Sequence, residues 1–262
     1  MTRPRSIETA SGASGGALLG WISVLLLILL WLGAAWWLNS RFLPTPLTVA
    51  AQIFWLAQHG HLLPDFAITL LRAGLGFLIA MLLGTAAGIV LGRSRLADRL
   101  FLNWVVVAMN LPAIVIAILC YIWLGLNDTA LILAVVLNKT PLVATSIRQG
   151  VLSFDPAYQE FARAYRLTRR QTFRLIHLPQ LTPYLLTAAR TGLSLVWKIV
   201  LVFEVLGADS GVGFRISLFF QFFDMKGILA YTVVFVAIVM TLEHLAFGPL
   251  ERRLLAWRRD RA

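Results

Sequence analysis

Residues 73–92 read AGLGFLIAMLLGTAAGIVLG, twenty positions without a charged side chain. As an α-helix rising 1.5 Å per residue, such a run is about 30 Å long, which matches the hydrocarbon thickness of a bilayer. Gly84, Gly88 and Gly92 recur inside it at four-residue spacing, so one face of the helix carries no side chains. Membrane helices use such faces to bring two backbones together. The segment predicts a membrane-spanning helix with a close helical neighbour.

Working outward, five more runs qualify. They are 18–38, 101–126, 129–147, 181–206 and 228–250, which makes six predicted spans in an all-α, polytopic membrane protein. The run 18–38 has 21 uncharged residues. That exceeds the 7 to 15 of a signal-peptide core, so it reads as an uncleaved first span. Lys139 interrupts the fourth run and Glu243 the last. Asn110-Leu111-Pro112 predicts a kink in the third, with Asn110 available to bond freed backbone groups. Thr140-Pro141, next to Asn138 and Lys139, predicts broken backbone bonding in the fourth. The domain layout is a polar tail over 1–17, a transmembrane domain over 18–250 with a connecting segment at 153–179, and a basic tail over 251–262.

Composition agrees. Hydrophobic residues make up 59% and charged residues 13% of the chain, where soluble domains carry about 25% charged. The net charge of +11 raises nucleic-acid binding, but the distribution excludes it. Sixteen Lys and Arg fall in alternate connections on one side, including Arg93, Arg95, Arg99 and the cluster 148–174, against three (Arg41, Arg215, Lys226) on the other. By the positive-inside rule both termini face the cytoplasm of a bacterial inner membrane. The lone Cys120 has no disulfide partner, and His59, His61, His177 and His244 are too scattered for a metal site.

The longest basic connection predicts an elbow of two short helices. Asp155-Pro156 is an N-cap and first-turn pair, opening a helix over 156–167. Thr168 and Gln171 have capping-box spacing, so a second helix starts at Arg169. Pro179 is expected to stop it.

From Glu160 this elbow reads EFARAYRLTRRQTFRLIHLP. It resembles the signature of permeases of binding-protein-dependent ABC importers: Glu-Ala-Ala, three residues, Gly, nine residues, Ile, one residue, Leu-Pro. Glu160, Ala162, Ile176, Leu178 and Pro179 match, while Phe161 replaces Ala and Arg166 replaces Gly. WKIVLVFEVLGADSGVG at 197–213 is similar to the fifth helix and outer turn of the nitrate, sulfonate and taurine subfamily. The resemblance covers roughly 65–250 and implies that the elbow couples to a cytoplasmic ATPase through Glu160, Phe161, Ala162, Ala164, Arg166, Thr168, Ile176, Leu178 and Pro179. It further implies a second permease copy, an extracytoplasmic solute-binding protein, and ATP and Mg bound by the partner ATPase. A glycine in the left-handed region at the turn would make Arg166 unfavourable there by about 1 to 2 kcal/mol.

Ionisable residues at bilayer depth cost several kcal/mol unless paired or hydrated. Asn138, Lys139, Arg190, Lys198 and Glu204 are therefore candidates for a translocation path. Lys198 and Glu204, six residues apart, point in different directions around a helix. No GxxxxGK[ST] run occurs, so the chain lacks the familiar ATP-binding loop, and no catalytic constellation is present. The predicted function is the permease subunit of an ATP-driven importer for a small solute, with the excess of buried cations pointing to an anion. An ATP-independent secondary transporter or channel is the alternative. A membrane-embedded enzyme would need more than Glu243-His244.

Overall fold

In the computed structural model, residues 12–254 are described, and they are helical nearly throughout. The helices are α1 (Gly12–Leu38), α2 (Pro46–His59), α3 (Leu62–Arg93), α4 (Arg95–Asn110), α5 (Ala113–Leu124), α6 (Asp128–Leu152), α7 (Pro156–Ala164), α8 (Arg169–Thr172), α9 (Leu178–Gly207), α10 (Val212–Gln221) and α11 (Met225–Leu254), with a π-helical turn at Phe173–His177 joining α8 to α9. The polar tail expected over 1–17 and the basic tail over 251–262 lie largely outside the described residues.

Four long apolar segments are uninterrupted: α3, α6, the continuous stretch Arg169–Gly207, and Met225–Glu243 of α11. The shorter α4 and α5 meet at an angle of 96° and make a fifth only when the bent pair is counted as one span. In α1 the described apolar stretch, Ile22–Leu38, is 17 residues, shorter than the others. Local chemistry sets the boundaries. Asn127 Oδ1 accepts from the Ala130 amide at 2.9 Å to open α6, and Ser94 Oγ accepts from the Ala97 amide at 3.2 Å to open α4. The bend falls at Leu111-Pro112, where Leu111 is extended because a residue before proline avoids the helical region. Asn110 Nδ2 donates to Val106 O at 2.8 Å across the last turn.

Several boundaries correct the sequence reading. The second span begins at Leu62 rather than Ala73, so Arg72 lies inside the helix. No break occurs at Thr140-Pro141, because α6 runs unbroken with Pro141 inside it. Pro141 removes only one backbone bond, and α6 is held along its length by α3 and α9, so tertiary packing overrides the local break. Helices α2 and α10 were not anticipated. The signal for α2 was present, since Thr45 caps a helix that starts at Pro46.

Contacts divide the chain into two units. One comprises the segment up to Gly60 together with Phe219–Ala230. Within it Trp31 Nε1 donates to Pro44 O at 3.1 Å, tying α1 to the turn before α2. The other comprises His61–Leu218 and the segment from Tyr231 onward.

The second unit is organised by α3 against α6. A Cβ added at Gly76 would fall within 3 Å of Val135, at Gly84 within 3 Å of Val143, and at Gly92 within 3 Å of Val151. The partners advance together along both chains, so the two helices run parallel. At Gly88 the obstacles are Ala144 O and Ile147 Cβ, at 2.6 and 2.7 Å. The glycine face predicted from spacing is thus the seam onto which α6 packs. On its other side α6 meets α9, with Gly150 against the ring of Tyr184. The core around these helices holds Leu131, Val135, Val196, Val200 and Phe203.

Gly88→Leu is expected to destabilise the protein by about 1–3 kcal/mol through overpacking. Gly74, with nothing within 4 Å of an added Cβ, should accept alanine with a neutral or slightly favourable effect of up to about 1 kcal/mol. Unfolding of both variants in detergent micelles checks this. Equal stability losses would show that the seam is not close-packed.

Candidate functional site

The elbow is built by local capping. Asp155 Oδ1 accepts from the Ala157 amide at 2.9 Å, and Pro156 opens α7. The Asp155 amide donates to Gln180 Oε1 at 3.0 Å, fastening the start of α7 to the base of α9. Helix α7 ends at Ala164, earlier than the predicted Leu167, because Arg166 adopts φ 50°. This is the left-handed cap that closes helices, with the Leu167 amide donating back to Ala162 O at 2.9 Å. Arg166 therefore occupies a conformation in which glycine is favoured. The capping box is complete: the Gln171 amide donates to Thr168 Oγ1 at 3.3 Å, and the Thr168 amide to Gln171 Oε1 at 2.9 Å.

Pro179 does not end the second helix. In the π turn the Leu178 amide bonds Phe173 O, five residues back. That wider turn accommodates the proline ring and its missing donor, so α8 runs into α9 without a loop. His177 in this turn accepts from Arg93 Nη2 at 2.6 Å on Nδ1, linking the turn to the end of α3.

Among the residues expected to couple to an ATPase, Ala162 and Ile176 are buried inside the elbow, Pro179 is half-buried, and Glu160, Phe161, Ala164, Arg166, Thr168 and Leu178 are exposed. Phe161 and Tyr165 lie with ring centres 4.4 Å apart. With Tyr158, Leu167, Leu175 and Ile176 they line an open apolar groove.

At the opposite end of the second unit lies a buried polar network. Arg72 Nη1 donates to Glu204 Oε1 at 2.8 Å and to Ser210 O at 2.7 Å. Its Nε and Nη2 reach Asp128 Oδ1 at 3.0 and 2.6 Å, and Nη2 also reaches Ser210 Oγ at 2.8 Å. Glu204, with no exposed surface, additionally accepts from Thr69 Oγ1 and from the Gly213 amide, each at 2.9 Å. Thr69 Oγ1 accepts in turn from the Val212 amide at 2.9 Å. One turn earlier on α3, Asp65 accepts from Arg215 Nε at 2.9 Å and from Tyr231 Oη at 2.7 Å. The hydrogen bond to Asp65 raises the pKa of Arg215, so this guanidinium stays charged. Gly211, at φ 99°, lets the turn before α10 lie against the Glu204 carboxylate, where a Cβ would collide.

Of the predicted path residues, Asn138 is half-buried, Lys139 is buried, and Arg190 and Lys198 are exposed on α9. Glu204 is fully buried, with its carboxylate bonded to Arg72, Thr69 and the Gly213 amide. Lys198 and Glu204 do point apart, as helical geometry required. Sequence reading missed Asp65, Thr69 and Ser210 and placed Arg72 at a span edge. A charge flanked by apolar residues on both sides of a long run was the available signal.

Residues 76–248 match the family described as the binding-protein-dependent transport system inner membrane component. The chain belongs to this family: it is the permease of an ABC importer, a multi-pass inner-membrane transport subunit whose ATP hydrolysis resides in a separate ATPase and whose solute arrives on a binding protein. It is 29% identical over 245 residues to the putative aliphatic sulfonates transport permease SsuC of Bacillus subtilis, covering 91% of this chain and 88% of that one. It is 28% identical over 234 residues to the taurine transport system permease TauC of Escherichia coli, covering 85% of each. Its fold is that of the permease in the inward-facing MetNI methionine ABC transporter, with a TM-score of 0.61 at 20% identity, covering 71% of this chain and 92% of that one. An amino acid ABC transporter crystallised with histidines gives a TM-score of 0.62 at 19% identity, covering 76% and 96%.

Arg72→Met should be among the most damaging single changes in the second unit, lowering stability by about 3–5 kcal/mol, because it leaves Glu204 buried and unpaired. Asp128→Asn should cost about 1 kcal/mol or less, since the Asp128 side chain is 62% exposed and screened by solvent. Thermal unfolding of the two variants in the same detergent is the measurement, and near-equal losses would contradict the assignment of Glu204 as the critical partner.

Proposed function

We propose that two copies of this chain enclose the path of a small organic anion of the sulfonate type, with an ATPase seated on each elbow and both termini in the cytoplasm. One observation carries the reading. Along its open face α9 presents Thr187, Arg190, Thr191, Ser194 and Lys198, a polar and basic stripe at helical spacing in the middle of an apolar-length helix. A lipid-facing position for Lys198 at that depth is unfavourable by several kcal/mol. The stripe instead faces an aqueous path, and a symmetric second copy supplies the opposite wall. The basic character of the stripe fits an anionic solute, as do the sulfonate and taurine relatives.

The elbow is the docking element in this reading. Its exposed aromatic face fits an apolar groove on the ATPase, while the buried Ala162 and Ile176 hold the elbow in shape. ATP and Mg stay with that partner. Cytoplasmic termini follow from the sixteen-to-three distribution of Lys and Arg, which places the elbow inside the cell and Asp128 outside.

Phe161→Ala combined with Tyr165→Ala should leave membrane insertion intact and reduce ATPase co-purification by about tenfold or more, since truncating aromatic anchors commonly removes over 1 kcal/mol each. Uptake of a labelled alkanesulfonate by cells carrying the cognate binding protein should fall in parallel. Full ATPase retention with full uptake would show that the elbow is not the docking surface. Single cysteines at Asp128 and Arg169, in a background with Cys120 replaced, test orientation: an impermeant reagent should label only the first in intact cells.

A further inference from the structure

Among the described residues five polar or charged side chains are buried: Asp65, Thr69, Arg72, Glu204 and Lys139. The first four belong to the network at one end of the second unit. Lys139 does not. Only 5% of it is exposed, and among the described residues it has no ion-pair or hydrogen-bond partner. It lies eleven residues into α6, roughly 17 Å from the Asp128 end at 1.5 Å per residue, which is mid-bilayer depth. A lone cation there is strongly unfavourable, and an ionisable residue at that depth points to a functional site.

The surroundings point to what compensates it. Two buried side-chain polar atoms have no hydrogen-bond partner in the described structure: Thr140 Oγ1, adjacent to Lys139, and Trp197 Nε1 on α9. Trp197 is a donor only, and the threonine hydroxyl can donate. Helices α6 and α9 run antiparallel, with Gly150 against Tyr184 and Ser146 Oγ donating to Tyr184 O. Continuing that pairing brings Lys139 level with Thr191 to Leu195, the centre of the basic stripe, and Trp197 about one turn further on. The middle of the unit thus holds a cation and two donors with unmet bonding capacity, and no buried acid there to use it.

We infer that Lys139 is the counter-charge for the anionic head of the solute at the midpoint of the path, with Thr140 and Trp197 as candidate hydrogen-bond donors to it. This rests on the sulfonate-importer reading and deepens it. In the state described here Lys139 is occluded. The alternating motion of the two copies would expose it when the solute is delivered, so the charge is met by the cargo and not by the protein. Lys139 is then a specificity-determining residue: it favours anions and contributes nothing to folding.

The test uses the whole transporter, with ATPase and binding protein, in proteoliposomes, and labelled taurine as the probe. Calorimetry of the binding protein with taurine comes first. Lys139→Met should unfold at the wild-type temperature or above it, because it removes an unpaired buried charge, while uptake falls by about tenfold or more. Lys139→Arg, which keeps the charge, should retain a substantial part of the uptake. Three results would overturn the inference: uptake by Lys139→Met within about twofold of wild type, a clear drop in its unfolding temperature, or equal loss of uptake in both variants. If instead the binding protein takes no sulfonate and the wild type transports none, the solute class itself is wrong and this role for Lys139 goes with it.

Discussion

The ion pair between Arg72 and Glu204 is the constraint on which the second unit depends. Neither group can be left alone in an apolar interior, so each must be met from every side, and the residues that meet them come from three parts of the chain. Asp128 opens α6, Thr69 lies one turn from Arg72 on α3, and Ser210 and Gly213 belong to the segment after α9. Satisfying two charges therefore fixes where three long helices end relative to one another. A buried pair of this kind adds little net stability over a well-packed apolar alternative. Its contribution is to specify one arrangement, since any slip of α9 against α3 would strand a carboxylate.

From that fixed end the helices are free to be featureless. The glycine face of α3 lets α6 approach until valine side chains fill the space that side chains on α3 would otherwise take. This packing needs no polar contact and repeats at every second turn. The two devices divide the labour between them, with the polar cluster setting the register and the glycine seam setting the separation. With both in place, α9 can carry a polar stripe on its outward side without loss of structure.

Features encoded within a few residues were legible in the sequence. Asp155-Pro156 and Thr168-Gln171 cap their helices as their spacing required, Pro112 bends its span, and the four-residue glycine period marks the packed face. Arg166 was legible too, as a residue in a place that suits glycine, and its positive φ is the physical content of that departure. What could not be read were interactions across long separations. Arg72 meets partners 56, 132 and 138 residues away, and nothing near it in the chain announces them. Local rules also failed where packing overruled them. Pro141 sits in an unbroken helix because its neighbours hold it, and Pro179 is absorbed by a wider turn. Glu204 shows the same limit, since an acid in an apolar run does not announce its partners and only the fold supplies Arg72, Thr69 and the Gly213 amide.

The continuity of Arg169–Gly207 has a mechanical consequence. Its 39 residues form a single rod roughly 58 Å long at 1.5 Å per residue, with the elbow at one tip and Glu204 near the other. A loop at Pro179 would have acted as a universal joint and dissipated any push applied to the elbow. The π turn removes that joint. Because the far tip is pinned by the Arg72 cluster, a sideways displacement of the elbow becomes torque about that pin, and the stripe between the two swings through an arc set by its distance from the fulcrum. Arg190 lies nearer the elbow than Lys198, so any rotation about that pin would carry it through the longer arc.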